Sequence, residues 1–189
     1  MASATKPTVL LLQGTFQNPD IYYKFAQLIE SRGFPVVQPS FPSLTDHHDP
    51  DFTKKTLDDD IQVVETTIRK LVEHEGKRVL VFMHSYGGLV GAEAIPDDLT
   101  FASRNERDLP GGVAYLFYLA GFVLQSGHTY VPSTYVVCNG DTAVPPQVQE
   151  LFAKQSGAKI KRIEAGHSAF LSKPEEVLAL FEEAADVIS

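Results

Sequence analysis

Short apolar runs alternate along the chain with longer segments whose apolar residues recur every three or four positions. Thr8 to Gln13, Pro35 to Gln38, Arg78 to Met83, Val113 to Ala120, Thr134 to Asn139 and Lys159 to Glu164 read as strands. Most are continuously apolar rather than alternating, which predicts a sheet covered on both faces. Ile21 to Arg32 and Leu57 to Glu75 carry helical spacing, for instance Ile61, Val64, Ile68 and Leu71. Leu89 to Ala94 reads as a helix, as do Pro146 to Gln155 and Pro174 to Val187, both of which open on proline. Strand and helix in this alternation predict an α/β fold, a doubly wound, mainly parallel sheet of about six strands with right-handed crossovers. No repeat or linker divides residues 1–189, so one domain is expected, with Pro42 to Thr56 and Ile95 to Gly111 as surface excursions.

Composition narrows the partners. At 189 residues with 43% hydrophobic and 21% charged positions, the chain can bury a substantial core. A net charge of -8 disfavours nucleic acid and anionic membrane surfaces, leaving small molecules as the expected ligands. The lone cysteine, Cys138, sits in an apolar run and has no partner for a disulfide within the chain. Together with the absence of a leader-like or spanning segment near Met1, it points to a cytoplasmic protein.

Three loops change the picture from fold to chemistry. The third strand runs into His84, Ser85, Tyr86, Gly87, Gly88 and then a helix, a context in which a serine can be held on a sharp turn with its hydroxyl exposed. A plain glycine-containing turn would also satisfy this pentapeptide. A phosphate loop would not, because the glycines follow the serine instead of preceding it. The fifth strand ends in Asn139, Gly140, Asp141, Thr142, and the sixth in Ala165, Gly166, His167, Ser168. In a parallel sheet these loops share the C-terminal edge, where ligands bind. An aspartate after a strand is often a turn former and a lone histidine is often structural, yet Ser85, Asp141 and His167 occur in the order of a nucleophile, its acid and its base.

On these motifs the chain resembles the α/β-hydrolase superfamily, in particular a single-domain esterase-like branch related to methyl-ester esterases and hydroxynitrile lyases. The likeness runs from Thr8 to Val187 and rests on His-Ser-Tyr-Gly-Gly, Asn-Gly-Asp-Thr-Ala-Val-Pro and Ala-Gly-His-Ser-Ala-Phe. It implies a catalytic triad of Ser85, His167 and Asp141, and an oxyanion hole from the Tyr86 N–H with that of Phe16 or Thr15. Gly14 would let the backbone approach the substrate, and Gln13 stands where relatives carry histidine. Phe16, Tyr86, Leu89, Val144 and Phe170 are expected to line the substrate site, with His128 and Tyr130 at its mouth. No metal or cofactor is required by this chemistry. The adjacent His47 and His48, flanked by acids, read as a solvated loop.

Two departures stand out. Met83 occupies the first glycine position of the Gly-x-Ser-x-Gly pattern, which predicts crowding beside Ser85. Relatives insert a helical lid before the fifth strand, whereas here only the thirteen residues Gly121 to Ser133 intervene. Fully extended they reach about 43 Å at roughly 3.3 Å each, enough for a crossover without the usual helix. The expectation is a lidless, open site, with a bare apolar patch near the fourth and fifth strands that a homodimer would cover. The activity expected is hydrolysis of a small carboxylic ester, lactone or thioester through an acyl-enzyme. A lyase or isomerase on the same fold, or a catalytically silent binding or scaffold member, are the alternatives.

Overall fold

The first strand, β1 (Thr8–Leu12, TVLLL), is apolar from its second residue onward and buried throughout. It can be so only if both of its faces are covered, and they are. The computed structural model, which describes residues 6–45, 47–123 and 131–188, places it inside a six-stranded parallel sheet of order β2-β1-β3-β4-β5-β6. The other strands are β2 (Val36–Val37), β3 (Arg78–His84), β4 (Gly112–Leu119), β5 (Ser133–Cys138) and β6 (Lys159–Ile163). β1 pairs with β3 in the register Leu12↔Met83, so the chain reverses its direction of winding between them. The crevice outside their C-terminal ends is the topological switch point.

Helices fill both faces. α1 (Tyr23–Ser31), α7 (Ala169–Ser172) and α8 (Pro174–Ala185) pack Phe25, Ile29, Phe170 and Phe181 against Val9, Leu11, Phe82 and Phe117. α3 (Leu57–Arg69), α4 (Tyr86–Ala94) and α6 (Pro146–Gln155) cover the opposite face, with Val64, Ile68, Val90 and Ala153 against Leu10, Leu12, Val81 and Val137. α3 begins at a capping box, in which Thr56 and Asp59 satisfy each other's backbone N–H groups. Its acidic first turn, Asp58 to Asp60, suits the positive end of the helix dipole. The π-helical turn Lys70–His74 then extends it, so the single helix expected over Leu57 to Glu75 is two segments end to end.

Three short helices escape the periodicity: α2 (Pro42–Thr45), α5 (Phe101–Asn105) and α7. The segment from Ile95 to Gly111 is more than a surface excursion. Leu99 is fully buried, and Arg104, only 5% exposed, donates to the Pro110 carbonyl at 2.9 Å and to that of Val72 at 3.4 Å. α4 starts three residues before the predicted Leu89, at Tyr86, directly after the left-handed backbone of Ser85.

The patch expected to be bare near β4 and β5 is filled. Tyr118 and Tyr135 stack with centroids 5.8 Å apart and are 3% and 0% exposed. The Tyr135 hydroxyl donates to the Gly121 carbonyl at 2.6 Å, tying the start of the crossover to the sheet. The described parts of that crossover, residues 120–123 and 131–132, contain no helix.

Candidate active site

Ser85 follows the last residue of β3 and holds φ 51 and ψ -119, a conformation that costs a non-glycine residue about 1–3 kcal/mol. The surroundings hold it there. Its N–H donates to the Leu119 carbonyl at 3.2 Å, and its carbonyl accepts from Gly88 N–H at 3.0 Å and Phe122 N–H at 2.9 Å. The glycines that follow are needed for proximity: a Cβ on Gly87 would lie 2.5 Å from the Leu12 carbonyl oxygen, and one on Gly88 would lie 2.4 Å from that of Phe122. The crowding expected from Met83 is relieved by a third glycine. A Cβ on Gly91 would come within 2.6 Å of Met83 Sδ, so the missing side chain in α4 makes the room that a glycine in β3 would otherwise provide.

Asp141 comes from the turn after β5 and His167 from the loop after β6. His167 Nε2 is 2.8 Å from Ser85 Oγ, and its Nδ1 is 2.7 Å from Asp141 Oδ2. The carboxylate's other oxygen accepts from Ala143 N–H at 2.8 Å and Val144 N–H at 3.0 Å. Asp141 Oδ2 also accepts from Gln149 Nε2 at 2.9 Å, a contact no sequence motif announced. With its side chain fully shielded and every oxygen engaged, the carboxylate can hold one imidazole tautomer with its Nε2 free to take a proton from Ser85.

The loop after β1 lies against this assembly. A Cβ on Gly14 would fall 3.1 Å from Ser85 Cβ and 2.9 Å from His84 Nδ1, so glycine is required for the approach. Phe16 takes a left-handed backbone, φ 60, and its side chain is 95% exposed. Thr15 between them is half-buried. The Tyr86 N–H opens α4, where no intrahelical acceptor exists. Gln13 is fully buried, and its side-chain amide finds no partner among the described residues.

Of the expected lining, Tyr86 and Leu89 are half-buried. Phe170 and Val144 are not open lining. Phe170 is 1% exposed and stacks on Tyr22 at 4.3 Å, and Val144 is 4% exposed with its N–H spent on Asp141. Their periodicity could not distinguish pocket from core. His128 and Tyr130 lie outside the described residues. Nor is the serine widely open, being 5% exposed, while the His167 side chain retains 24%.

Two buried polar groups went unseen in the sequence. Asp60 of α3, fully buried, accepts from the Tyr86 hydroxyl at 2.8 Å and from the Ser43 N–H and hydroxyl at 3.0 and 2.6 Å. It thereby anchors the side chain next to the serine. His84 is also fully buried; burial, reinforced by the neighbouring His167, pushes its pKa down to about 3, so it is uncharged at neutral pH. Among the described residues no group of three or more His, Cys, Asp and Glu side chains gathers as metal ligands, and no helix is long and apolar enough to cross a membrane.

Comparison with known proteins gives this geometry a context. Residues 9–121 match the model of the alpha/beta hydrolase family. A probable hydrolase, R7, of Phoma sp. is 25% identical over 236 aligned residues, covering 92% of this chain and 96% of that protein. Methylesterase 10 of Arabidopsis thaliana is 42% identical over 53 residues, 27% of this chain and 19% of that protein. The crystal structure of polyneuridine aldehyde esterase superposes with a TM-score of 0.74 at 15% identity, covering 94% of this chain and 98% of its own.

Proposed function

Since the chain belongs to the alpha/beta hydrolase family and is a hydrolase of that fold, we propose that it cleaves a carboxylic ester, lactone or thioester of a small molecule through an acyl-enzyme on Ser85. The observation that carries this reading is the unbroken relay from Ser85 Oγ to His167 Nε2 at 2.8 Å and from His167 Nδ1 to Asp141 at 2.7 Å. His167 takes the Ser85 proton as Oγ attacks the carbonyl carbon, and the imidazolium is stabilised by Asp141. The same proton then passes to the departing alcohol or thiol. Water, deprotonated in turn by His167, releases the acid and restores Ser85.

The oxyanion is bound by the Tyr86 N–H together with that of Phe16 or Thr15. The Gly14 N–H is already committed to the Tyr22 hydroxyl at 2.8 Å, which supports assigning the second donor further along the loop. The exposed side chains of Phe16 (95%), Phe122 (37%) and Leu171 (54%) follow β1, β4 and His167 in the chain, and favour a substrate with an apolar part. A site without the usual lid agrees with an alignment to R7 of 236 residues, longer than this chain of 189. A homodimer would shelter the apolar side chains, and a monomer in light scattering would remove that part of the reading. A cytoplasmic setting fits the buried free thiol of Cys138.

The test is a fluorophosphonate probe with peptide mapping, run beside p-nitrophenyl esters of short and long acids. Labelling confined to Ser85, with turnover falling at least about a thousand-fold in Ser85→Ala and His167→Ala, is expected. Labelling without turnover of any ester would favour a lyase, and folded protein that takes no label would favour a binding role.

A further inference from the structure

Beneath Ser85 lies a ring of hydrogen bonds that the hydrolytic relay does not use. His84 Nε2 is 2.9 Å from the His167 carbonyl oxygen, and His84 Nδ1 is 2.7 Å from the Tyr22 hydroxyl. The Tyr22 oxygen accepts from the Gly14 N–H at 2.8 Å and touches the side-chain amide of Gln17. The far end of that amide lies 3.3 Å from Ser168 Oγ, next to His167. The ring therefore joins the loop after β1 to the loop after β6, beneath the nucleophile that sits between them. Phe170 packs across it, 4.3 Å from Tyr22 and 5.1 Å from His84.

We infer that His84 is a positioning residue locked as the neutral Nε2–H tautomer, and that it sets the His167 backbone relative to the loop carrying Gly14. A carbonyl oxygen can only accept, so the contact with His167 requires a proton on His84 Nε2. A neutral ring then has a bare Nδ1, which must accept the single proton of the Tyr22 hydroxyl. That proton cannot also serve the oxygen of Gln17. The Gln17 amide therefore turns its nitrogen to Tyr22 and its oxygen to Ser168, whose hydroxyl donates. Every member is satisfied, as a buried polar network requires.

The alternative is a doubly protonated His84 with the Gln17 amide the other way round. It would place a cation without a carboxylate contact in the core, its ring centroid 4.9 Å from that of His167. His167 must itself become positive when it takes the Ser85 proton, so a charged neighbour would oppose the step. A neutral His84 leaves that charge unopposed. This kinetic consequence rests on the hydrolase mechanism proposed above; the tautomer itself does not.

The two are separated by reading the tautomer directly. In the folded wild-type protein, nitrogen-15 NMR of the histidine rings should show His84 as Nε2–H with shifts constant from pH 8 to 5. An Nδ1–H pattern, or titration of His84 with a midpoint above 6, would overturn the inference whether or not the protein turns over esters. For the positioning role, Tyr22→Phe should lower kcat about ten-fold while KM moves less than about two-fold. His84→Gln, whose amide offers the same donor and acceptor, should keep most of the kcat that His84→Leu loses. Equal losses in the Gln and Leu variants, both folded, would refute positioning through these two hydrogen bonds. Absence of fluorophosphonate labelling at Ser85 in the wild type would refute the hydrolase mechanism while leaving the tautomer result standing.

Discussion

Gln149 and His167 donate to the same carboxylate oxygen of Asp141, at 2.9 and 2.7 Å. The Gln149 amide also donates to the Val144 carbonyl at 2.7 Å and accepts from the Cys138 N–H at 2.9 Å, so one buried side chain ties the end of β5 to the turn bearing Asp141. Gln149→Leu strips partners from three buried groups at once. The variant should lose about 1–3 kcal/mol for each group that water cannot reach, and its ester turnover should fall by more than its stability loss explains. Urea unfolding beside kcat at a temperature where both proteins remain folded measures this. Unchanged turnover would mean that Asp141 is held by its two backbone donors alone.

Gly88 and Gly157 give a paired test of close approach. A Cβ at Gly88 meets the Phe122 carbonyl oxygen at 2.4 Å, whereas one at Gly157 meets nothing within 4 Å and suffers only from φ 66. Gly88→Ala should therefore displace the segment that holds Ser85, costing about 1–3 kcal/mol or more, and abolish probe labelling. Gly157→Ala should cost about 1–2 kcal/mol from the left-handed backbone and leave labelling intact.

His84 predicts a dependence on acidity. Its pKa falls from 6.5 to about 3 on folding, so between those values the unfolded chain binds a proton that the native protein refuses. Stability must decline as pH drops through that window, by up to about 1.4 kcal/mol per pH unit from this residue alone. Unfolding curves at pH 7, 5.5 and 4.5 should be steeper in pH for the wild type than for His84→Gln. Parallel curves would contradict the burial account.

Cys138 should be silent towards thiol reagents in the native state. It is fully buried, and burial with the nearby Asp141 pushes its pKa up to about 12, so thiolate is scarce at pH 8. Iodoacetamide should modify it in denaturant and leave it untouched without; native modification would show that the end of β5 opens.

The sheet, its long helices and the loops bearing Ser85, Asp141 and His167 were legible because period and position speak directly for them. A strand buried on both faces reads as unbroken hydrophobicity, as in Val9 to Leu12, and a reactive loop follows such a strand's C-terminal end. What could not be read was whatever depends on distant partners. Phe170 has the composition of a pocket wall and packs instead on Tyr22; Gln149 and Asp60 look like helix surface and are buried. His84 stood in plain view beside the serine, but its partners are 62 and 83 residues away. Gly91 is the same kind of omission: its role becomes evident only once Met83 is seen beneath α4.

The strand that delivers His167 is the sheet's outer edge. Among the described residues β6 pairs only with β5, and its Lys159, Lys161 and Arg162, bound to Glu183 and Glu150, discourage another molecule from adding to it. Ser85 meets His167 across 82 residues of chain. Ser85 and His167 can therefore meet only once β6 and the loop after it have been made and seated, and fraying of that border strand would part them again. Under the proposed mechanism, Ser85 is thus left without a base in any molecule whose border strand is unseated.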